Sequence, residues 1–563
     1  MDQGVSVRPL PGKSELVLLL AAAWMVATCN VGFWQVLRFG GDAGGVLGGP
    51  TLVGFLMIAT GLTAMVLMIL ANGPATRPVL ALLLSLGAAA GYFTTRFGIL
   101  FDKNMVANVV ETNVAEASEL LSSGLVVTVV LFGLLPALLV MRLSLPKRRF
   151  GTAVVQRVAG LLVAAALIAV PLALDQKAVF STVRNHRELA HMISPVDVVA
   201  ASWSYAEDRL DTPPPYRMIG QDAKLAANDT ADGRPTVHVL IVGETARAAN
   251  FGINGYARDT SPGVEERPTI SFRNAESCGT ATAQSLPCMF SIQTMAEFDR
   301  EQSEYQDNLL DVAARAGFDV RWIDNGNSCK GVCAHIASLQ LADSDVANLC
   351  SPDGCYDELL VDELSRVLPT IDRDTVIVLH QLGSHGPAYY RRYPESFRRF
   401  MPDCRSDDLA DCTNEEITNA YDNTIVYTDA VIARAIDVLS AQTGRLNTSL
   451  LYVSDHGESL GEHNLYLHGM PRALAPDEQT HIPMIAWFGD AGAQGLASHC
   501  LDQVGELPVS HDNLFHTELG LLGIESSIYV PALDVFANCR TGKEQLARTE
   551  PASRGREQHH ASR

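Results

Sequence analysis

Ser449-Leu450-Leu451-Tyr452-Val453-Ser454-Asp455-His456-Gly457-Glu458 sets a short apolar run directly against an acid, an imidazole and a second acid. A run of that length, closed by polar residues and a glycine, predicts a buried strand with metal-ligand side chains at its carboxyl end. Two other places repeat the pattern. Residues 237–242 lead into Gly243-Glu244-Thr245, and residues 374–379 lead into His380 and then His385. Helix-like segments such as 307–316 and 418–442 separate these runs. Short apolar strands alternating with helices predict an α/β domain with a mainly parallel central sheet. Such sheets bind ligands beyond the carboxyl ends of their strands, where Glu244, His385, Asp455 and His456 all fall.

Asp, Glu and His suit zinc, which takes nitrogen and oxygen ligands. Singly, such residues are more often surface or hydrogen-bonding groups. Their shared rim, with Gly243 and Gly457 permitting close backbone approach, favours a site. A reacting group is sought in Ser277-Cys278-Gly279-Thr280-Ala281-Thr282, which precedes an expected helix whose N-terminus would stabilise a phosphoryl group. Spacing alone does not choose Thr280 over Ser277, Thr282 or Ser285. His481, His511 and His516 read as histidines hydrogen-bonded within the fold.

Upstream, the chain changes character. Apolar stretches cover residues 16–36, 52–71, 79–95, 124–140 and 158–174, each near the roughly 20 residues a helix needs to cross a bilayer. The first is too long for a signal-peptide core and reads as an uncleaved anchor. Arg8, Lys13, Arg77, Lys147, Arg148 and Arg149 fall on one side of five spans, which makes that side cytoplasmic and puts the remainder of the chain outside. The expected division is a five-helix membrane domain (1–174), interfacial helices and a proline-stiffened linker (175–235), a catalytic domain (236–540) and a disordered polar tail (541–563) with His559 and His560. Between the third and fourth stretches, Asn108, Thr112 and Glu116 recur every fourth residue and would share one helix face. That stripe is either simply solvated or in contact with a lipid headgroup.

Of 11 cysteines, Cys29 lies in the first apolar stretch and ten follow residue 277. An even number in one domain predicts disulfides and an oxidising compartment. Neighbour pairing is expected: Cys278 with Cys288, Cys329 with Cys333, Cys350 with Cys355, Cys404 with Cys412, and Cys500 with Cys539. A zinc finger on Cys329 and Cys333 lacks a second Cys/His pair at the right spacing. The net charge of −21 argues against a nucleic-acid partner.

Residues 242–250, Ser277-Cys278-Gly279-Thr280, Ser285-Leu286-Pro287-Cys288-Met289, 325–333, Ser384-His385-Gly386-Pro387, 454–462 and His468-Gly469, with Asn108, Thr112 and Glu116, together resemble the phosphoethanolamine–lipid A transferases, which include the mobile colistin-resistance enzymes. The resemblance implies a zinc-dependent, alkaline-phosphatase-like domain on an inner-membrane anchor. Glu244, Thr280, Asp455 and His456 would hold the catalytic zinc, with Thr280 the nucleophile. His385, His468, Lys330 and Glu458 would surround the phosphate or hold a second metal. Asn108, Thr112 and Glu116 would meet the ethanolamine headgroup of phosphatidylethanolamine. The acceptor would be lipid A or another lipopolysaccharide group, the enzyme monomeric, and the outcome polymyxin resistance. Ala246 departs from the serine expected in close relatives. The alternatives are a phosphoglycerol transferase, a sulfatase-like hydrolase, whose formylglycine pattern Cys278-Gly279-Thr280 fits poorly, and an inactive membrane receptor or scaffold.

Overall fold

The computed structural model describes residues 14–39, 49–112, 114–143, 149–210, 212–226, 233–326, 328–341, 346, 348–351, 354–489 and 496–540. Arg8, Lys13, Lys147 and Arg148, on which the expected orientation leans, and the tail from 541 lie outside the described residues.

The apolar third is helical. Among the described residues four helices are long and apolar enough to cross a membrane: Gly49–Leu70, Gly73–Phe97, Ser123–Arg142 and Phe150–Leu174. The third and fifth stretches are short in sequence, yet both lie in 25-residue helices. Their basic ends belong to the helix because a long side chain can find a backbone partner. Arg157 donates to the carbonyls of Met68 and Ala71 at 2.7 and 2.9 Å. The first stretch is not one straight span. Helix α1 (Ser14–Thr28) and helix α2 (Val31–Phe39) meet at a 60° bend. Asn30 explains the break: its amide donates to Met25 O and Ser194 O, each at 3.0 Å, and accepts from Ser194 N at 2.6 Å. A buried amide with those three partners competes with helix continuation.

The polar stripe also differs from the single helix expected of it. Helix α3 (Lys103–Glu111), capped by Asp102 accepting from Met105 N at 2.8 Å, ends at Thr112, whose backbone is extended. Thr112 turns its hydroxyl back onto Asn108 O at 2.7 Å. Glu116 belongs to the next helix, α4 (Val114–Glu119). A β-branched residue with a carbonyl four residues back ends the helix here, so the three residues do not share one continuous face.

The domain after residue 235 is built on an eight-stranded sheet. In chain order the strands are β1 (Thr236–Gly243), β2 (Thr269–Glu276), β3 (Asp319–Asp324), β4 (Ala337–Gln340), β5 (Thr375–His380), β6 (Asn447–Ser454), β7 (His481–Phe488) and β8 (Pro508–Ser510). Their spatial order is β8-β2-β7-β6-β1-β5-β3-β4, and β7 alone runs antiparallel to its neighbours. Strand β1 is apolar at nearly every position because both its faces are covered. Val237, Val239 and Ile241 join the core beneath helix α5 (Asn414–Ser440), while Leu240 and Val242 join the opposite core. His238 is the exception, and it is satisfied by Ser449 Oγ at 2.8 Å and by Glu518 at 3.0 Å.

Five disulfides form among the ten cysteines beyond residue 277: Cys278–Cys288, Cys329–Cys333, Cys350–Cys355, Cys404–Cys412 and Cys500–Cys539. Cys29 is buried and free. Alkylation of denatured, unreduced protein, read by intact mass, is therefore expected to add one label, on Cys29. Additional labels beyond residue 277 would contradict the oxidised state and the compartment it implies.

Candidate functional site

Three neighbouring strands deliver the site. Strands β5, β1 and β6 lie side by side, and their carboxyl ends are stitched by Gln381 N to Val242 O at 3.0 Å and Asp455 N to Gly243 O at 2.9 Å. Glu244 leaves β1 where Asp455 and His456 leave β6. Ligand-type atoms of these three lie within 4.8 Å of one another, all buried. Two glycines permit this approach. A Cβ on Gly457 would stand 2.1 Å from Glu478 O, and one on Gly243 would stand 2.5 Å from the Tyr452 hydroxyl.

The three side chains are held from behind. Asp455 Oδ1 accepts from Thr245 N at 3.1 Å and His456 N at 2.7 Å, whereas Oδ2 is buried with no hydrogen bond. His456 Nδ1 donates to Gly457 O at 2.9 Å, so Nε2 faces the carboxylates, 3.3 Å from Glu244 and 3.4 Å from Asp455. Thr245 donates its hydroxyl to Glu244 Oε1 at 2.6 Å while holding φ at +59°, a conformation costly for a β-branched residue. Strain of that kind is kept where it places a functional group.

The electrostatics call for a cation. Burial and the adjacent Glu244 push the Asp455 carboxyl up to about 7. Burial opposes charge on His456, yet Asp455 and Glu244 outweigh it and raise the imidazole to about 10. Glu244 is also opposed by burial, but its hydrogen bond and attraction to His456 hold it well below the ordinary range. Two crowded carboxylates, an oriented imidazole nitrogen and an orphaned Oδ2 fit a divalent ion with zinc's preference for nitrogen and oxygen.

The four candidate hydroxyls separate clearly. Ser277 donates to Gly279 O at 2.6 Å and Ser285 accepts from Gly279 N at 3.0 Å, so both serve to shape the turn. Thr282, first residue of the helix Thr282–Met289, donates to Glu244 at 2.9 Å and lies 3.4 Å from His456 Nε2. Thr280 is buried on the adjacent loop. Its hydroxyl donates to Met470 O at 2.6 Å and its carbonyl accepts from Gly469 N at 2.8 Å. Thr280 is thus bound to the His468 loop, and Thr282 to the carboxylate–imidazole group.

Around them stand His468 and His385. The His468 ring lies 4.4 Å from that of His456 and 5.5 Å from that of His385. Glu458 holds His468 Nδ1 at 2.7 Å and accepts from the Tyr389 hydroxyl at 2.5 Å. Burial lowers the affinity of His468 for a proton, the attraction of Glu458 opposes this, and the nearby His456 adds to the lowering. Lys330 is placed elsewhere: its Nζ donates to Glu111 O at 3.2 Å, at the end of α3. The α3 helix also packs Met105 over the His468 loop, since a Cβ on Gly469 would come within 2.5 Å of the Met105 methyl.

His481, His511 and His516 are bonded within the fold. His511 links two site segments, accepting from Cys278 N at 3.0 Å and donating to Ser454 O at 3.0 Å. Burial takes its pKa down to about 4, consistent with a neutral bridge. Sequence reading missed the parts played by Thr245 and Tyr389. Only Thr245 carried a local signal, a hydroxyl directly beside a ligand.

Residues 236–524 match the family described as Sulfatase, and residues 59–210 match that described as Phosphoethanolamine transferase EptA/EptB. The phosphoethanolamine transferase EptA of Escherichia coli K12 is 37% identical over 540 residues, spanning 95% of this chain and 98% of that protein. The phosphatidylethanolamine transferase Mcr-1 of Escherichia coli is 34% identical over 540 residues, spanning 93% and 98%. The solved integral membrane lipooligosaccharide phosphoethanolamine transferase A of Neisseria meningitidis superposes with a TM-score of 0.90 at 35% identity, covering 94% of this chain and all of that one.

Proposed function

Because this chain belongs to the phosphoethanolamine transferase family, we propose that it moves phosphoethanolamine from phosphatidylethanolamine to lipid A or another lipopolysaccharide group. The proposed setting is the Gram-negative inner membrane, with residues 1–174 as anchor and residues 236–540 in the periplasm, and the outcome is polymyxin resistance. The observation that carries this reading is the convergence of Glu244, Asp455 and His456 beside the Thr280 loop, itself seated on the membrane-side helix α3. A lipid donor explains why the site rests against the anchor. All of these groups come from one chain, so the proposed reaction draws on no residue of a second copy.

Glu244, Thr280, Asp455 and His456 would hold the catalytic zinc. When bound, the ion supplies positive charge against the charge that builds on the phosphoryl oxygens. The Thr280 hydroxyl attacks the phosphorus of phosphatidylethanolamine. An Oγ1–P bond forms, the bond from phosphorus to the glycerol oxygen breaks, and diacylglycerol leaves with a proton. An acceptor oxygen then displaces Thr280, which recovers its hydroxyl. His468, oriented by Glu458, and His385 flank the phosphate and are the groups able to move those protons. Asn108, Thr112 and Glu116 meet the ammonium end of the donor, and Lys330 steadies the end of α3 next to it.

Lipid A extracted from cells with and without the chain is the direct test. Mass spectrometry is expected to show a gain of one or more phosphoethanolamine groups only when the chain is present. Unmodified lipid A and unmodified core, from cells containing folded protein, would overturn the reading.

A further inference from the structure

His385 sits at the start of a short segment that is tied at several points. Tyr389, within it, donates to Glu458, which in turn holds His468. Arg392 closes the turn Tyr389–Arg391 through its backbone N–H to Tyr389 O at 2.9 Å. Its guanidinium then folds back, and Nε donates to the carbonyl of His385 at 2.8 Å. The other arm reaches out of the catalytic domain: Nη2 pairs with Glu119, the last residue of α4 on the membrane side.

Arg392 and Glu119 are each only 5% exposed. Removing either partner of a buried charge pair leaves the other charge uncompensated, which is strongly destabilising. The planar guanidinium donates in two fixed directions at once, which an ammonium does not. A single rigid group therefore sets the distance between α4 and the His385 carbonyl.

We propose that Arg392 is a positioning residue for the transfer reaction, holding His385 in place on a mount that includes Glu119 of the membrane domain. This rests on the reading above that His385 flanks the transferring phosphate. Glu119, which follows the proposed headgroup residues Asn108, Thr112 and Glu116 along the chain, thereby also fixes where His385 stands. As positioning residues, both are expected to act on kcat rather than on donor KM.

The test compares purified, full-length variants in detergent, reading kcat, donor KM, zinc content and melting temperature. Arg392→Lys keeps a charge for Glu119 but has no second fixed donor for His385 O. It is expected to hold zinc, to keep donor KM within a few-fold and to lose about 10²-fold in kcat, the scale of a misplaced reacting group. Glu119→Gln is expected to lower kcat in the same direction. The exchange of Glu119→Arg with Arg392→Glu restores an ion pair but offers His385 O no donor. It is expected to recover melting temperature without recovering turnover. Parental kcat in folded, zinc-loaded Arg392→Lys would overturn the proposal, as would full turnover in the exchange variant, which would make the pair a structural tie alone. If the exchange variant does not fold, Arg392→Lys decides. If the parental enzyme forms no adduct on Thr280, the covalent reading fails, and the overall transfer rates still decide the role of Arg392.

Discussion

Thr280→Ala is expected to transfer no measurable phosphoethanolamine, a loss of about 10⁴-fold or more, as befits removal of a covalent nucleophile. Thr280→Ser should keep part of the activity, because it retains the hydroxyl and loses only the methyl group that orients it. The geometry makes this test sharper than the motif alone would. Thr282, two residues on, has its hydroxyl on Glu244 and near His456, whereas Thr280 donates to Met470 O. Thr282→Ala should therefore loosen Glu244 and slow turnover by about 10- to 100-fold, the usual cost of a lost partner behind a metal ligand. It should not prevent formation of the covalent intermediate. Incubation with phosphatidylethanolamine alone, followed by intact mass and peptide mapping, should find phosphoethanolamine on residue 280 in the parent and in Thr282→Ala. An adduct on Thr282, or parental transfer by Thr280→Ala, would reverse the assignment.

Asp455→Asn should empty the proposed metal site and reduce transfer by about 10³-fold or more. Asparagine keeps an oxygen for Thr245 N and His456 N, so the strand end is preserved. It places a neutral amide where Oδ2 faced His456 Nε2 and Glu244, and so removes the charge that a cation needs. Zinc per protein, measured on the purified variant, should fall well below the parental value. A second readout separates metal loss from misfolding. With chelator present, the variant should melt no lower than the chelated parent, because it buries one carboxylate instead of two in contact with each other. Parental zinc content and parental activity in Asp455→Asn would end the metal assignment.

Much of the site was legible because it lies at the ends of strands. Short apolar runs buried on both faces stand out from polar text, and the residues that follow them are carried to one rim whatever the loops do. Glu244, Asp455 and His456 were found in this way, and the neighbouring cysteines announced an oxidising compartment through composition alone. The apolar stretches marked the anchor for a similar reason, since spanning a bilayer is a matter of length and apolarity. What sequence left open depends on contacts between distant positions. Whether a helix breaks at Asn30 or Thr112 turns on one side chain finding a carbonyl, and the Asn30 partner is Ser194. The different partners of four nearby hydroxyls became readable only once Glu244 and Met470 had been brought to them across the fold. The left-handed backbone of Thr245 exists because Glu244 and Asp455 both need its donors. Arg392 and Glu119 are 273 residues apart, and no periodicity or composition links them. Strand and span patterns are local and repeat along the chain, so sequence by itself determined them. Pairings between distant segments are set by packing, so the tertiary structure alone decided how Glu119 reaches, through Arg392, the segment that carries His385.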